Sequence, residues 1–239
     1  MKLVDKSDAQ IREIVERLGD ALMVPKSQGY EKYAGKRIVD AAEKQMDELR
    51  ESKKNAAIAV MGVVLGANRD WQRQVAKHLE RMRNDESIKS ITFKQLFDKL
   101  QTEDYVAFKD TWGHSDEKKY KTLKSLVQKI LILSIDHPTL DDLELMKKWA
   151  VNAELENRTD DILGALPNVG IATFQHLRMT FGVDTVKPDQ RVKEVLNNEF
   201  GIKLSDEKSI NAVGEIARIT GNKVYVIDQI FVKYGSGYY

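Results

Sequence analysis

Apolar residues recur every three or four positions along almost the whole of this chain. That rhythm constrains its fold more than any other feature. SDAQIREIVERLGDAL, beginning at Ser7, puts Ile11, Ile14, Val15 and Leu18 on one stripe, and Ser7 with Gln10 has the form of a capping box. KRIVDAAEKQMDELRES repeats the pattern with Ile38, Ala42, Met46 and Leu49. The apolar run at 56–67 reads as a buried helix that continues into NRDWQRQVAKHLERM. ITFKQLFDKLQT and the segment that follows Ser115 and Asp116 keep helical spacing. Thr139 is placed to cap LDDLELMKKWAVNAE, and Thr159 to cap DDILGAL. VKPDQRVKEVLNNEFG, SDEKSINAVGEIARITG and NKVYVIDQIFVKYG close the series, each ending at a glycine as helices often do. KVYVIDQIFV is the one β-rich run, and its Ile227, Ile230, Phe231 and Tyr234 fit a helix equally well. With four prolines, no internal repeat and no low-complexity linker, residues 1–239 are expected to form a compact all-α protein. A chain of 239 residues, 42% apolar, has enough core for one large domain or two lobes.

Composition removes several chemistries. There are no cysteines, which excludes disulfides, thiolate zinc sites and cysteine-held iron–sulfur clusters and suits a cytoplasmic location. The four histidines, at 78, 114, 137 and 176, form no ligand pair four residues apart and read as surface or packing residues. No run reaches the roughly 20 apolar residues of a membrane span, and the amino-terminal segment lacks an apolar core of signal-peptide type, so no membrane partner is expected. Basic and acidic residues nearly balance, 38 against 37, so nucleic-acid binding would require charge segregated onto one face. NDESIKS and SDEKKYK read as solvated faces.

LPNVGIAT, residues 166–173, interrupts the helical rhythm. Proline fits a turn, having a fixed φ and no N–H to place. Asn168 and Gly170 sit where positive φ is expected, which asparagine tolerates better than most residues. The helix after the turn would offer free backbone N–H groups from about Val169 to Thr173, and such a terminus binds phosphate without any side-chain charge. Asp160 and Asp161, ahead of the turn, favour a helix start but lie close to that anion site.

LPNVGIAT resembles the hairpin of the helix–hairpin–helix DNA glycosylases, in their cluster-free branch. The second half of that signature is a loop followed by an aspartate, supplied here by VDTVKPDQRVKEVL, with Pro188-Asp189 in the Pro-Asp position. Asp184 is a second, less favoured aspartate in the same loop. GVVLGANRDWQRQV resembles the helix that ends in a glutamine inserted into the DNA stack, placing Asn68 there, with Asp70 or Trp71 just beyond. WGHSDEKKYKTLKSLVQKI resembles a glycine followed by a lysine-bearing helix. The likeness covers about residues 50–235, with the hairpin and Pro-Asp loop at about 159–200 and the closing helices at about 205–235.

The resemblance implies a two-lobed helical fold acting on double-stranded DNA with a damaged or modified base. Pro167, Asn168, Val169, Gly170, Ala172, Thr173, Asn68 and Arg191 would contact DNA. Trp71, Trp112 or Tyr120 would stack on a flipped base. Asp189 would stabilise the cationic sugar formed as the N-glycosidic bond breaks. No cofactor is required, but backbone carbonyls of Gly164, Leu166 and Val169 would hold a monovalent cation, potassium or sodium, bridging to a DNA phosphate. Ala172 stands where bifunctional members carry a lysine, so no Schiff base forms at that position and a monofunctional enzyme is expected. Three plainer readings stand beside this one. Asp189 after a proline has the form of a helix N-cap. The chain could be a non-catalytic DNA-binding protein. It could also be a nucleobase-modifying enzyme on the same scaffold.

Overall fold

The structure is a computed structural model that describes residues 4–24, 33–51, 54–69 and 74–237. Twelve helices and no strand occur among the described residues. In chain order they are α1 (Asp8–Asp20), α2 (Ile38–Glu51), α3 (Ala56–Leu65), α4 (Ala76–Asn84), α5 (Phe93–Thr102), α6 (Lys109–Trp112), α7 (Glu117–Ile135), α8 (Asp142–Asn152), α9 (Ile171–Thr180), α10 (Gln190–Phe200), α11 (Asp206–Thr220) and α12 (Val224–Gly235). A single antiparallel bridge, Leu22 with Arg37, ties the ends of α1 and α2. None of these helices is long and apolar enough to cross a membrane.

The chain divides into two units. One comprises Met1–Ser52 with Val183–Tyr239, and the other Lys53–Gly182. The first is built around α12, which packs against α1, α2, α10 and α11. Burial on most sides explains why its sequence carried no clear period. Ile227, Ile230 and Phe231 are all fully buried, and the run is helix rather than strand. Ser7 caps α1 through the expected reciprocal bonds with Gln10.

The second unit has an equivalent centre in α3, whose apolar residues are almost all buried and which packs against α4, α5, α7, α8 and α9. α3 does not continue into the next helix as its spacing predicts. It stops at Gly66, and Asn68 turns the chain with φ of 57°. The cap of α7 is one of the two residues expected for it, and the cap of α8 is a neighbour of the one expected. Asp116 caps α7, and Asp141, two residues beyond Thr139, caps α8 with a full capping box to Glu144.

Candidate nucleic-acid interface

In the second unit, α8 and α9 are joined by a long non-helical segment, 153–170. DDILGAL is a turn here and not a helix. Asp161, rather than Thr159, organises it. Asp161 Oδ1 accepts the N–H groups of Leu163 (2.8 Å) and Gly164 (2.7 Å), and Ala165 N–H closes one helical turn onto the Asp161 carbonyl. Pro167 then disfavours helical geometry at Leu166, so too few residues remain to propagate a helix. Asp161 also receives the indole N–H of Trp149 at 3.0 Å, and Trp149 meets Phe174 of α9 edge-on at 5.8 Å. Leu163 and Val169 are buried beneath the turn.

The tip is a four-residue turn. Val169 N–H donates to the Leu166 carbonyl at 3.1 Å, with Pro167 second and Asn168 third. Asn168 has φ of 68°, the positive value that a type II turn demands at its third position. Its amide also donates to Thr122 Oγ1 of α7 at 3.3 Å. Gly170 departs from expectation. Its φ is −75° and ψ 177°, ordinary extended backbone, because the turn reverses the chain at Asn168 and leaves Gly170 free to act as an N-cap. A Cβ on Gly170 would meet no atom within 4 Å. Pro167, Asn168 and Gly170 are exposed. No side chain caps α9, so the amides of Ile171, Ala172 and Thr173 begin the helix without intrahelical acceptors.

The carbonyl side of the same turn is occupied by the chain itself. Arg158 Nη1 donates to the carbonyls of Gly164 (2.8 Å) and Val169 (3.0 Å). The third carbonyl named for a cation, that of Leu166, accepts the turn bond from Val169. A monovalent cation at these oxygens would have to share them with a guanidinium, so the residues as arranged do not fit one. Among the described residues no group of three histidine, aspartate or glutamate side chains is placed to hold a metal.

The Pro-Asp loop belongs to the first unit. Asp189 caps α10, its Oδ1 accepting from Arg191 N–H (3.0 Å) and Val192 N–H (3.2 Å). Lys187 Nζ lies 3.7 Å from the other carboxylate oxygen, and the Asp189 side chain keeps 26% of its surface exposed. The Arg191 side chain pairs with Glu194 at 2.9 Å. Asp184 has a structural task, accepting Tyr225 N–H at 2.9 Å and so capping α12.

Two residues that sequence reasoning passed over lie behind this loop. Asp228 is fully buried and accepts Lys187 N–H at 3.0 Å and the Gln229 amide at 2.8 Å. Burial, reinforced by the negative charge of Asp189, pushes its carboxyl up to about 7. Lys233 is buried on the same helix, donating to Gln45 and Gln229, and burial lowers its ammonium to about 7 against the opposing pull of Asp228. Their signal was available, since an aspartate and a lysine interrupt the otherwise apolar VYVIDQIFVKYG.

The remaining expected site residues are dispersed. Asn68 is exposed at the carboxyl end of α3, where Lys119 Nζ takes the Val64 (3.0 Å), Leu65 (3.3 Å) and Ala67 carbonyls. The lysine-bearing helix thus fixes the end of α3 from which Asn68 projects. Trp112 is not at a surface pocket. It is fully buried, its indole N–H bonded to the His114 carbonyl and its ring edge-on to Phe108 at 5.3 Å. Tyr120 is likewise core, its hydroxyl donating to the Leu100 carbonyl at 2.8 Å and to that of Glu103. Both rings lie on the apolar sides of their helices, where packing decides their direction. Trp71 lies outside the described residues. No protein-family model, curated protein or solved structure matches this chain.

Proposed function

We propose that this protein binds double-stranded DNA through the 166–173 turn and acts as a monofunctional N-glycosylase on a damaged or modified base. The start of α9 carries this reading. Gly170 is an exposed N-cap whose missing side chain is required neither by its φ nor by any neighbouring atom. A glycine there leaves the helix amides open to an incoming phosphate, which backbone donors and the helix dipole bind together. Charge on α7 supports it. Thr122 meets Asn168, and Lys118 and Lys129 share the Thr122 face at helical spacings of four and seven residues. A nearly neutral chain thereby supplies local positive charge beside the turn.

In this reading Asp189 stabilises the sugar cation and orients the attacking water, after the base has left the stack. Its partial exposure, with Lys187 as an ionic neighbour, leaves carboxylate surface for that task. Ala172, with no amine, restricts the product to an abasic site. The second reading is a DNA-binding protein without catalysis, and the burial of Trp112 and Tyr120 favours it, because neither ring is available to stack on a base.

The deciding experiment incubates wild type and Asp189→Asn with duplexes bearing single altered bases, followed by hot alkali. Strand breaks that need alkali and vanish in Asp189→Asn are the expected result. Intact strands with every base, together with tight salt-sensitive binding, would establish the binding protein instead.

A further inference from the structure

We infer that Arg158 takes the place of a metal cation in the 158–170 turn, so that the turn is shaped, and binds phosphate, without a bound ion. This rests on the reading of the turn as a phosphate site. Arg158 Nη1 bridges the Gly164 and Val169 carbonyls at 2.8 and 3.0 Å, two of the three oxygens that would ligate an ion. A guanidinium keeps its charge at every working pH and has no acceptor to offer, so it presents those oxygens with what a bound cation would present. A second cation there would face both occupied lone pairs and like-charge repulsion.

Gly164 is the matching half of the arrangement. A Cβ at Gly164 would lie 2.5 Å from the Arg158 carbonyl oxygen and 2.8 Å from Arg158 Cγ, so only glycine lets the arginine fold over the turn. Both backbone groups of Gly164 are then held by side chains of opposite charge. Its N–H goes to Asp161 and its carbonyl to Arg158. Val169, the other acceptor, shares its peptide bond with Gly170, so the fixed positive charge is anchored one peptide from the open start of α9. It adds there to the partial charge of the helix end.

The test compares thermal unfolding and duplex binding in potassium, sodium and tetramethylammonium chloride at equal ionic strength. The last ion is too large to sit between carbonyl oxygens. The wild-type melting temperature is expected to agree across the three salts, and the duplex Kd to agree within about twofold. Arg158→Met keeps much of the aliphatic stem and removes the charge. It is expected to lower the melting temperature by roughly 4 °C in tetramethylammonium and to raise Kd about tenfold. A wild-type Kd or melting temperature that collapses in tetramethylammonium overturns the inference, and so does an Arg158→Met protein that melts and binds as wild type does. The wild-type comparison stands even if that variant does not fold. A wild type that binds no duplex in any salt would instead remove the phosphate-site reading, while the melting data would still decide what Arg158 does.

Discussion

α9 and α10 each begin after a loop, and they begin in opposite ways. α10 starts after Asp189, whose carboxylate accepts the amides of Arg191 and Val192 in its first turn. α9 starts at Gly170, which has nothing to offer its amides. The loops before them differ in the same sense. Segment 183–189 is fastened by carboxylates that accept backbone N–H groups, Asp184 from Tyr225 and Asp228 from Lys187. The turn before α9 is fastened at its end nearest the helix by a cation that takes backbone carbonyls. A loop held through its amides uses up the groups an anion would need. The turn before α9 also gives two amides to a carboxylate, those of Leu163 and Gly164 to Asp161, but none of the first three of the helix itself. The first amides of α9 therefore meet no side-chain acceptor, which is why the proposed phosphate contact is assigned to α9 and not to α10.

The largest effect expected from disturbing this contrast comes from Gly164→Ala. The added methyl group would meet a backbone oxygen that cannot swing aside, so the turn must shift or Arg158 must leave it. A loss of about 3 kcal/mol is expected, or roughly 6–12 °C in melting temperature, readable by calorimetry. A methyl group absorbed without loss would show that Arg158 is not held over Gly164.

Next in size is a difference in pH response. It comes from two buried groups on α12, Asp228 and Lys233. Lys233 is lowered from 10.5 to about 7, so between those values the unfolded chain holds more protons and stability rises with pH. Asp228 is raised from 3.8 to about 7, so across that lower range the folded chain holds more protons and stability falls as pH rises. The two limbs meet in a minimum near neutrality. Lys233→Met should remove the rising limb and stabilise the protein by about 1–2 kcal/mol below neutrality, a gain that fades as pH approaches 10.5. Urea unfolding across this range measures it, and an unchanged rising limb in the variant would assign it to another group.

The smallest change in stability is expected from giving α9 the cap that α10 has. Gly170→Asp should gain about 0.5 kcal/mol, since the backbone at 170 already has N-cap geometry. Its carboxylate would then occupy the phosphate position, and duplex affinity should fall about tenfold, measured by fluorescence anisotropy. Unchanged affinity would place the DNA contact elsewhere.

How far the sequence could be read follows from how local each cause is. The helices, the Ser7 cap, the positive φ of Asn168 and the N-cap form of Asp189 were legible, because each depends on residues within about one turn. Asp161 supplanted Thr159 as organiser of its turn because Trp149 also binds it, a partner that no local pattern reveals. Gly170 was misjudged because one positive φ, at Asn168, sufficed to reverse the chain. Arg158 on two carbonyls leaves no periodic trace, and Trp112 and Tyr120 point inward through tertiary packing alone. Asp228 and Lys233 were visible as charges in an apolar run, but their burial depends on the helices gathered around α12.

Almost every contact that shapes the turn before α9 is made between residues near in sequence: Trp149 with Asp161, Arg158 with Gly164 and Val169, Leu166 with Val169. The entropy of closing so short a stretch of chain is small, and contacts of low sequence separation form fastest. The turn can therefore take its shape early in folding, before α3 and α9 find each other across more than a hundred residues of intervening chain.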